Sequence, residues 1–406
     1  MPSTAAAARR PTPETIGAGR RWGMLAASTL AQACAAVMVH GPAFLIPALH
    51  DREGLSLAQA GVVAAAPTVG VMLALVPWGA LTDRRGERLV LLLGLTLTSL
   101  LGLGATLTRD LVALTVLLGL AGAAAASTSA ASGRVVVGWF PPARRGLAMG
   151  IRQMAQPVGV GVAAITLAVI AERHGVHVAI VVPTIAAALA AAVVALVVLD
   201  PPRPPRRTGV AARAENPYRG DRYLVRIHAV SVLLVVPQFV VWTFALVWLV
   251  QDRDWSIAAA GTLVALAQVV GALGRIAAGQ LSDMVGSRMR PLRWVALVAA
   301  ATMLLLGVSA GADWAVAVLL LVVATAVTVA DNGLAFTAVA ERAGPFWSGR
   351  ALGIQNTSQF LTSSVVPPVG GLLVTAVGFP WAFAIVALLP VLAAPLVPVR
   401  QERAFE

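Results

Sequence analysis

Four ionisable side chains lie inside stretches that are otherwise apolar: Arg134, Arg152, Arg275 and Asp331. An arginine near the centre of a bilayer costs roughly 2.5–3.5 kcal/mol on insertion scales, so such residues normally face a protein interior or a water-filled pathway. A guanidinium offers paired donors that match the oxygens of a carboxylate or phosphate. Two or three cationic groups against one carboxylate therefore predict an anionic ligand.

The composition indicates a membrane protein. Of 406 residues, 58% are hydrophobic and 12% are charged, and the mean hydropathy is +0.84. Apolar runs of about 20 residues recur, and each can cross a hydrocarbon layer of about 30 Å as a helix. We predict an all-α polytopic fold with twelve membrane helices, at 22–49, 59–82, 89–108, 111–138, 147–170, 178–199, 224–250, 257–281, 292–311, 314–340, 351–377 and 379–399.

The basic residues, all 30 of which are arginine, sort by side of the membrane. With the N-terminus inside, 22 of them fall in cytoplasmic tails and loops and four on the opposite side. Because basic residues accumulate on the cytoplasmic side, both termini are predicted to lie in the cytoplasm of a bacterial cell. The net charge of +12 is thus interpreted as a topology signal, not as a nucleic-acid-binding surface. Residues 1–21 are predicted to be a disordered tail without a cleavable signal.

The chain also repeats itself at an offset of about 200 residues. The segment GALTDRRGER from Gly79 matches GQLSDMVGSR from Gly279, and SLAQAG from Ser56 matches SIAAAG from Ser256. Two six-helix halves follow, residues 22–200 and 223–406, which are parallel because six is an even number. Residues 201–222 are rich in proline and arginine and are predicted to form the cytoplasmic linker.

The segment GALTDRRGER resembles a loop motif of the major facilitator superfamily, in which an Asp-Arg pair framed by glycines joins helices 2 and 3. The resemblance covers nearly the whole chain. It implies a two-repeat transporter fold in which helices 1, 4, 7 and 10 line a cavity and helices 3, 6, 9 and 12 face lipid. The sequence departs from the pattern at Glu87, where the family usually carries a second basic residue.

The resemblance further implies that the motif is a conformational latch. Asp83 would face a helix N-terminus and nearby arginines such as Arg144 or Arg145, since a carboxylate suits the positive end of a helix dipole. Alternatively, the arginines of the loop only set topology. The predicted latch residues are Gly79, Asp83, Arg84, Gly86, Arg88, Gly279, Asp283 and Gly286.

Amide side chains accompany the buried charges on helices 5 and 11. The segment RGLAMGIRQMAQ matches GRALGIQNTSQ in the second half, and spacings of three and four residues put the amides on one helix face. Parallel repeats place a shared site between the halves. The predicted substrate-binding residues are Arg134, Arg152, Gln153, Gln156, Arg275, Gln355, Asn356 and Gln359. The alternatives are amides that only join helices and arginines, Arg134 and Arg152, that extend to the cytoplasmic surface.

Two residues are candidates for proton coupling. Asp331 either pairs with Arg275 of the same half or carries a proton during transport, because burial disfavours the charged form of a carboxyl group. His40, in helix 1, is the second candidate, although a lone histidine is more often a packing residue. The sequence predicts no cofactor and no metal site, since His174 and His177 lack a third ligand nearby.

We therefore expect a monomeric secondary transporter, embedded in lipid, that moves a small organic or inorganic monoanion by alternating access. The arginine pattern resembles the cyanate and monocarboxylate branches of the superfamily. The alternative is proton-driven efflux of amphipathic drugs or metabolites. Against it, helix 5 has Ala163 and Ala164 near the place where such exporters typically carry a Gly-Pro pair. An enzyme is disfavoured because no nucleophile–base set or phosphate-binding loop is evident.

Overall fold

The computed structural model describes residues 15–203 and 216–403, and these ranges contain helices but no strand. Within them, eleven helices are long and apolar enough to cross a membrane. The last, Ser348–Gln401, has 54 residues and turns at Gly378, where φ is 79°. It therefore holds two spans, and residue 378 separates the two that were predicted there. The predicted all-α fold with twelve spans is confirmed.

The helices keep the numbers of the predicted spans. Helices 1 to 6 are Ala18–His40 (continued by Gly41–Leu45 and Ile46–Asp51), Leu57–Arg85, Glu87–Leu107, Leu111–Trp139, Pro142–Gln153 with Ala155–His174, and Val176–Val197. Helices 7 to 10 are Tyr223–Gln251, Ile257–Val285, Met289–Gly311, and Val316–Val327 with Asp331–Ala343. Helices 11 and 12 share Ser348–Val386, and helix 12 ends with Leu388–Leu396.

Some predicted boundaries differ from the structure. Helix 1 begins at Ala18, inside the predicted disordered tail of residues 1–21. Just after that tail, Trp22 packs edge-on against Phe140 at 5.0 Å and anchors the chain. Residues 1–14 of that tail lie outside the described part. The predicted linker contains one helical turn, Pro217–Gly220; its residues 204–215 are also outside the described part. Helix 5 begins at Pro142, because proline is well tolerated in a first helical turn.

Helices 5 and 10 are each interrupted, whereas the sequence predicted two continuous spans. Helix 5 breaks at Met154 and helix 10 at residues 328–330. Pro157 explains part of the first break, because it has no N–H to donate to the carbonyl of Gln153 four residues earlier. Free backbone groups at membrane depth are tolerated only inside a protein or along a cavity. Both breaks therefore mark the interior of the bundle.

Helix 3 shows how the outer surface meets lipid. Its exposed leucines recur every three or four residues and form one stripe, with side chains 39–58% exposed: Leu89, Leu93, Leu97, Leu100 and Leu103. No charged residue interrupts this stripe. An apolar face of this kind suits a helix on the outside of a membrane bundle.

The two halves begin their helices in the same way. Ser56 and Ser256 each accept a hydrogen bond of 3.2 Å from the backbone N–H three residues on, and so cap helices 2 and 8. Asp200 accepts from the backbone N–H of Arg88 at 2.8 Å, and Glu402 accepts from that of Arg288 at 2.5 Å. The sequence repeat is thus a repeat of caps.

We call the end of the bundle formed by loops 84–88, 140–145, 286–290 and 342–348 the arginine-rich end.

Helices 2 and 4 touch through glycine, which yields a stability prediction. A Cβ atom at Gly70 would lie 1.9 Å from the carbonyl oxygen of Gly119, whereas Gly61 on the same helix has nothing within 4 Å. We expect Gly70→Ala to lower the thermal unfolding midpoint in detergent by several degrees, because overpacking costs about 1–3 kcal/mol. Gly61→Ala should hold or raise it, since alanine favours helix. Equal midpoints for the two variants would contradict the close approach.

Candidate functional site

A cavity lies between the two halves near the middle of the bundle. Helices 1 and 5 of the first half and helices 7, 8, 10 and 11 of the second contribute to its wall. Its lining consists of Gln32, Gln153, Gln156, Val235, Gln238, Phe239, Arg275, Asn332, Phe336, Asn356, Gln359, Phe360 and Ser363. Seven of these side chains are amides. The wall is therefore polar but carries few charges.

The amides of the second half hold one another in place. The Nδ2 atom of Asn332 donates to Gln238 at 3.0 Å, and the Nε2 atom of Gln359 donates to Asn332 at 3.0 Å. Asn356 donates to the carbonyl of Leu352 at 2.8 Å. Helices 7, 10 and 11 are thus linked across the cavity wall. Each amide keeps further donor and acceptor positions for a hydrogen-bonding ligand.

Two arginines, one from each half, meet at Gln153. The Nη1 atom of Arg152 donates to the side-chain Oε1 of Gln153 at 3.0 Å. The Nη1 atom of Arg275 donates to the backbone carbonyl of the same residue at 2.7 Å. Arg275 is 5% exposed and lines the cavity, while Arg152 is fully buried directly behind Gln153.

Neutral oxygens surround Arg152. Its Nε donates to Ser132 Oγ at 2.8 Å and its Nη2 to the carbonyl of Ser129 at 3.1 Å, both on helix 4. The guanidinium carbon lies 5.9 Å from the centre of the Phe336 ring. In the described chain no carboxylate forms an ion pair with it. This burial excludes the alternative in which Arg152 extends to the membrane surface.

Asp331 lies beside Arg275 without forming an ion pair in the described structure. It is 1% exposed and is the first residue of the second segment of helix 10. Arg275 is close enough to attract its carboxylate electrostatically. Its Oδ2 atom and the Nε atom of Arg275 are buried without hydrogen-bond partners. Both groups are therefore incompletely satisfied.

His40 lies on the side of the cavity away from the arginine-rich end. Its Nε2 atom is 3.4 Å from the Nε2 atom of Gln156, and its ring stacks on Phe360 at 6.5 Å. A second cavity, which includes His40, shares Gln32, Gln156 and Phe360 with the first. The polar pathway thus continues along helix 1 past His40.

Arg134 was predicted to bind substrate, but the structure places it at the arginine-rich end. It forms an ion pair with the buried Glu87 and donates to the carbonyl of Pro345 in the second half. Arg203 of the linker also binds Glu87, at 2.7 Å. Glu87, the residue that departs from the family pattern, therefore binds two arginines. Because the guanidinium of Arg134 pairs with Glu87, Arg134 does not contribute to the cavity.

Gln355 also lies outside the cavity wall. Its Nε2 atom donates to Ser231 Oγ at 2.5 Å, and its Oε1 atom accepts from Nδ1 of His228. Both partners belong to helix 7, so Gln355 joins helices 7 and 11, as the helix-joining alternative stated. The repeat predicted the depth of this amide but not its neighbour.

Three lining amides were missed by the sequence analysis: Gln32, Gln238 and Asn332. They lie on helices 1, 7 and 10, which the family resemblance already assigned to the cavity. The predicted site rested on ionisable residues and on the matched amides of helices 5 and 11. An isolated amide in an apolar span was a signal that could have found all three.

Asp83 binds the start of helix 11 in the opposite half. It accepts from the backbone N–H groups of Gly349 at 2.8 Å and Arg350 at 3.1 Å, and from Arg350 Nε at 2.9 Å. The expectation of a helix N-terminus is met, but the expected arginines were wrong. Arg145 instead pairs with Glu341 at 3.4 Å. Arg84 is exposed, and no hydrogen bond or ion pair of the described structure includes it.

Asp283 makes the equivalent contact in the other direction. It accepts from the backbone N–H groups of Gly146 at 3.0 Å and Leu147 at 2.8 Å, near the start of helix 5. Arg288 of its own half also donates to it, at 2.6 Å. A repeated aspartate therefore caps a helix of the opposite half on each side of the interface.

The glycines of the motif permit these contacts. A Cβ atom at Gly79 would lie 2.2 Å from the carbonyl oxygen of Gly349, and one at Gly279 would lie 2.2 Å from that of Gly146. Gly86 has a φ of 102° and Gly286 a φ of 65°, in the region that favours glycine. Arg88 donates to the carbonyl of Ala195 at 2.6 Å within its own half.

These contacts close the arginine-rich end. The first segment of helix 5, Pro142–Gln153, packs against helices 8 and 10 of the second half, and helix 2 packs against helix 11. The cavity lies beyond this closed layer. The structure is therefore sealed at the arginine-rich end, with the cavity on the far side of the seal.

Sequence comparison identifies the family. The profile of the Major Facilitator Superfamily matches residues 26–367. This chain belongs to the Major Facilitator Superfamily. It is accordingly a polytopic secondary transporter that works by alternating access, and not an enzyme.

The transporter is similar in sequence to proteins from two bacteria. An uncharacterized MFS-type transporter of Mycobacterium tuberculosis is 45% identical over 387 residues, which cover 95% of this chain and 87% of the relative. A probable galactarate/D-glucarate transporter of Bacillus subtilis is 24% identical over 364 residues, which cover 81% of this chain and 80% of the relative. The crystal structure of FucP in the outward conformation superposes with a TM-score of 0.75 at 17% identity, covering 93% of this chain and 99% of that one.

The aspartate contacts predict how the sealed end responds to charge removal. Asp83→Asn keeps the shape of the side chain but weakens three hydrogen bonds, and bonds to charged groups contribute about 1.5–3 kcal/mol each. We expect a cysteine introduced at Ser348, which is 1% exposed, to react severalfold faster with a polar maleimide in this variant, with Cys34→Ser as background. We also expect transport to slow without a change in substrate choice.

Asp200→Asn is the matched control for this experiment. Asp200 caps helix 3 at the same end of the bundle but bonds within its own half. Its loss should leave the labelling of position 348 unchanged. Equal labelling in Asp83→Asn and wild type, with unchanged turnover, would contradict the latch.

Proposed function

We propose that this transporter moves a small, hydroxylated organic anion across the bacterial cytoplasmic membrane. The observation that carries the proposal is the pair of buried guanidiniums at Gln153. In the described chain neither Arg152 nor Arg275 has a carboxylate at ion-pair distance, and Asp331 is the acid beside them. An uncompensated positive charge in a low-dielectric interior attracts an anion strongly.

The amides of the cavity support a ligand with hydroxyl groups. Seven amides line one cavity, and each offers both donors and acceptors, as hydroxyl groups do. A small inorganic monoanion would reach few of them. The similarity to a probable galactarate/D-glucarate transporter favours the same class of hydroxylated carboxylate. Amphipathic drugs, the alternative from the sequence, fit a wall of this polarity poorly.

Coupling to protons follows from electrostatics. An inside-negative potential opposes entry of an anion by about 2.3 kcal/mol per charge for each 100 mV. Protons carried with the anion, one for each of its negative charges, remove this cost. We propose Asp331 as the carrier in preference to His40, because it adjoins Arg275 and has an unpartnered oxygen.

The proposed architecture follows the repeat. Halves 22–200 and 223–406 would rock about the cavity, joined by the linker 201–222, with both termini in the cytoplasm. With the arginine-rich end in the cytoplasm, the structure would represent the outward-facing state. One chain supplies both walls of the cavity, which supports a monomer as the functional unit.

Substrate class is tested by thermal stabilisation of the purified protein. D-glucarate, D-galactarate and lactate should raise the unfolding midpoint, while neutral sugars and tetraphenylphosphonium should not. Arg275→Gln and Arg152→Gln should each lower anion affinity at least about tenfold, since a hydrogen bond to a charged group contributes about 1.5–3 kcal/mol. Arg275→Lys should retain part of it, because the charge remains while the paired donors are lost.

Arg253→Gln is the control for general charge effects. Arg253 lies at the opposite end of the bundle, paired with the exposed Asp313 at 2.5 Å. The Arg253→Gln variant should bind the anion with the affinity of the wild type. Stabilisation by the lipophilic cation alone would overturn the anion proposal and favour efflux of amphipathic compounds.

Proton coupling is tested in proteoliposomes. Asp331→Asn should abolish uptake of the best-binding anion driven by a pH gradient, yet preserve counterflow exchange, which needs no net proton movement. Asp313→Asn, at an 84% exposed side chain, should behave as wild type. If His40→Gln rather than Asp331→Asn removes the gradient dependence, His40 is the carrier. Uptake that ignores the gradient in the wild type would overturn proton coupling.

A further inference from the structure

Gln153 combines three features. Its side-chain oxygen accepts from Arg152 of the first half, and its backbone oxygen accepts from Arg275 of the second. The backbone oxygen is available because Pro157 cannot donate to it. The residue also lines the cavity.

We propose that Gln153 occupies the place of the substrate carboxylate in the empty transporter. Its two carbonyl oxygens satisfy the two guanidiniums until an anion displaces them. This inference rests on the proposed transport of an anion and names the anion subsite and its internal competitor. Gln153 thereby becomes a residue that determines specificity as well as part of the wall.

The relative strength of the bonds supports such an exchange. A buried guanidinium without acceptors would be costly, so the empty site needs some oxygen there. A neutral amide carbonyl is a weaker partner than a carboxylate, whose charge-assisted bonds are roughly twice as strong. An anion therefore gains by displacing the amide. A neutral sugar exchanges one neutral oxygen for another and gains little, which gives selectivity for acids.

The bond from Arg275 to Gln153 also crosses the interface between the halves. Close by, a Cβ atom at Gly150 would lie 2.6 Å from the carbonyl oxygen of Arg275, so the backbones of helices 5 and 8 are in contact there. When an anion takes the donors of Arg275, this crossing bond is lost. Substrate binding thus loosens a contact on the cavity side of the sealed end.

Opposite effects of two substitutions at Gln153 test the proposal, with D-glucarate as the probe and calorimetry as the measurement. Gln153→Ala removes the competitor of Arg152 and should tighten D-glucarate binding severalfold. Gln153→Glu attaches a carboxylate where we place that of the substrate and should weaken binding at least about tenfold. Gln156→Glu adds the same charge to the same cavity without an arginine contact and should weaken binding less.

The outcomes separate this inference from the proposed function. Tighter binding in Gln153→Ala cannot result from misfolding. The measurement on Gln153→Ala therefore tests the inference even if Gln153→Glu folds poorly. Weaker binding in Gln153→Ala would make Gln153 a direct ligand and overturn the inference while the anion function stands. Equal losses in Gln153→Glu and Gln156→Glu would also overturn it. A wild type that binds no D-glucarate overturns both the substrate class and the inference.

Discussion

The structure depends on how two guanidiniums are kept inside a membrane protein when no carboxylate of the described residues lies at ion-pair distance from them. A charge at this depth must be surrounded by oxygens, because lipid and apolar side chains cannot solvate it. Arg152 takes its oxygens from Ser129, Ser132 and Gln153, and Arg275 takes one from the backbone of Gln153. The break in helix 5, with proline at position 157, supplies that backbone oxygen. The polar cavity and the close contact of helices 5 and 8 both surround this point.

The repeat explains the latch, and its divergence explains the ion pairs. Asp83 and Asp283 each bind backbone N–H groups near the start of a helix in the opposite half, a contact that the repeated fold provides without any basic side chain. The arginines differ, because Asp83 meets Arg350 across the interface while Asp283 meets Arg288 of its own half. Sequence symmetry therefore describes the backbone contacts better than the charged side chains added to them.

The residues predicted for the site fall into two groups, those that line the cavity and those that contact a neighbouring helix. Periodicity and depth identified Arg152, Arg275 and the amides of helices 5 and 11 as interior groups, because only a protein interior tolerates them in a membrane. They did not separate the cavity wall from neighbouring contacts between helices. Arg134 and Gln355 have the expected depth, yet each faces a partner on another helix. The spacing of residues along the chain shows which of them share a helix face. It does not show which side chains of another helix that face contacts.

The sequence by itself determined the twelve spans, the all-helical class and the repeated motif. The physical reason is that a bilayer leaves few ways to satisfy a backbone, so apolar length and arginine position carry strong information. Tertiary structure alone decided which groups meet. Arg275 and Gln153 are 122 residues apart, and Asp83 and Gly349 are 266 apart. Such contacts depend on how two halves pack against each other, and no local pattern in the chain records that packing.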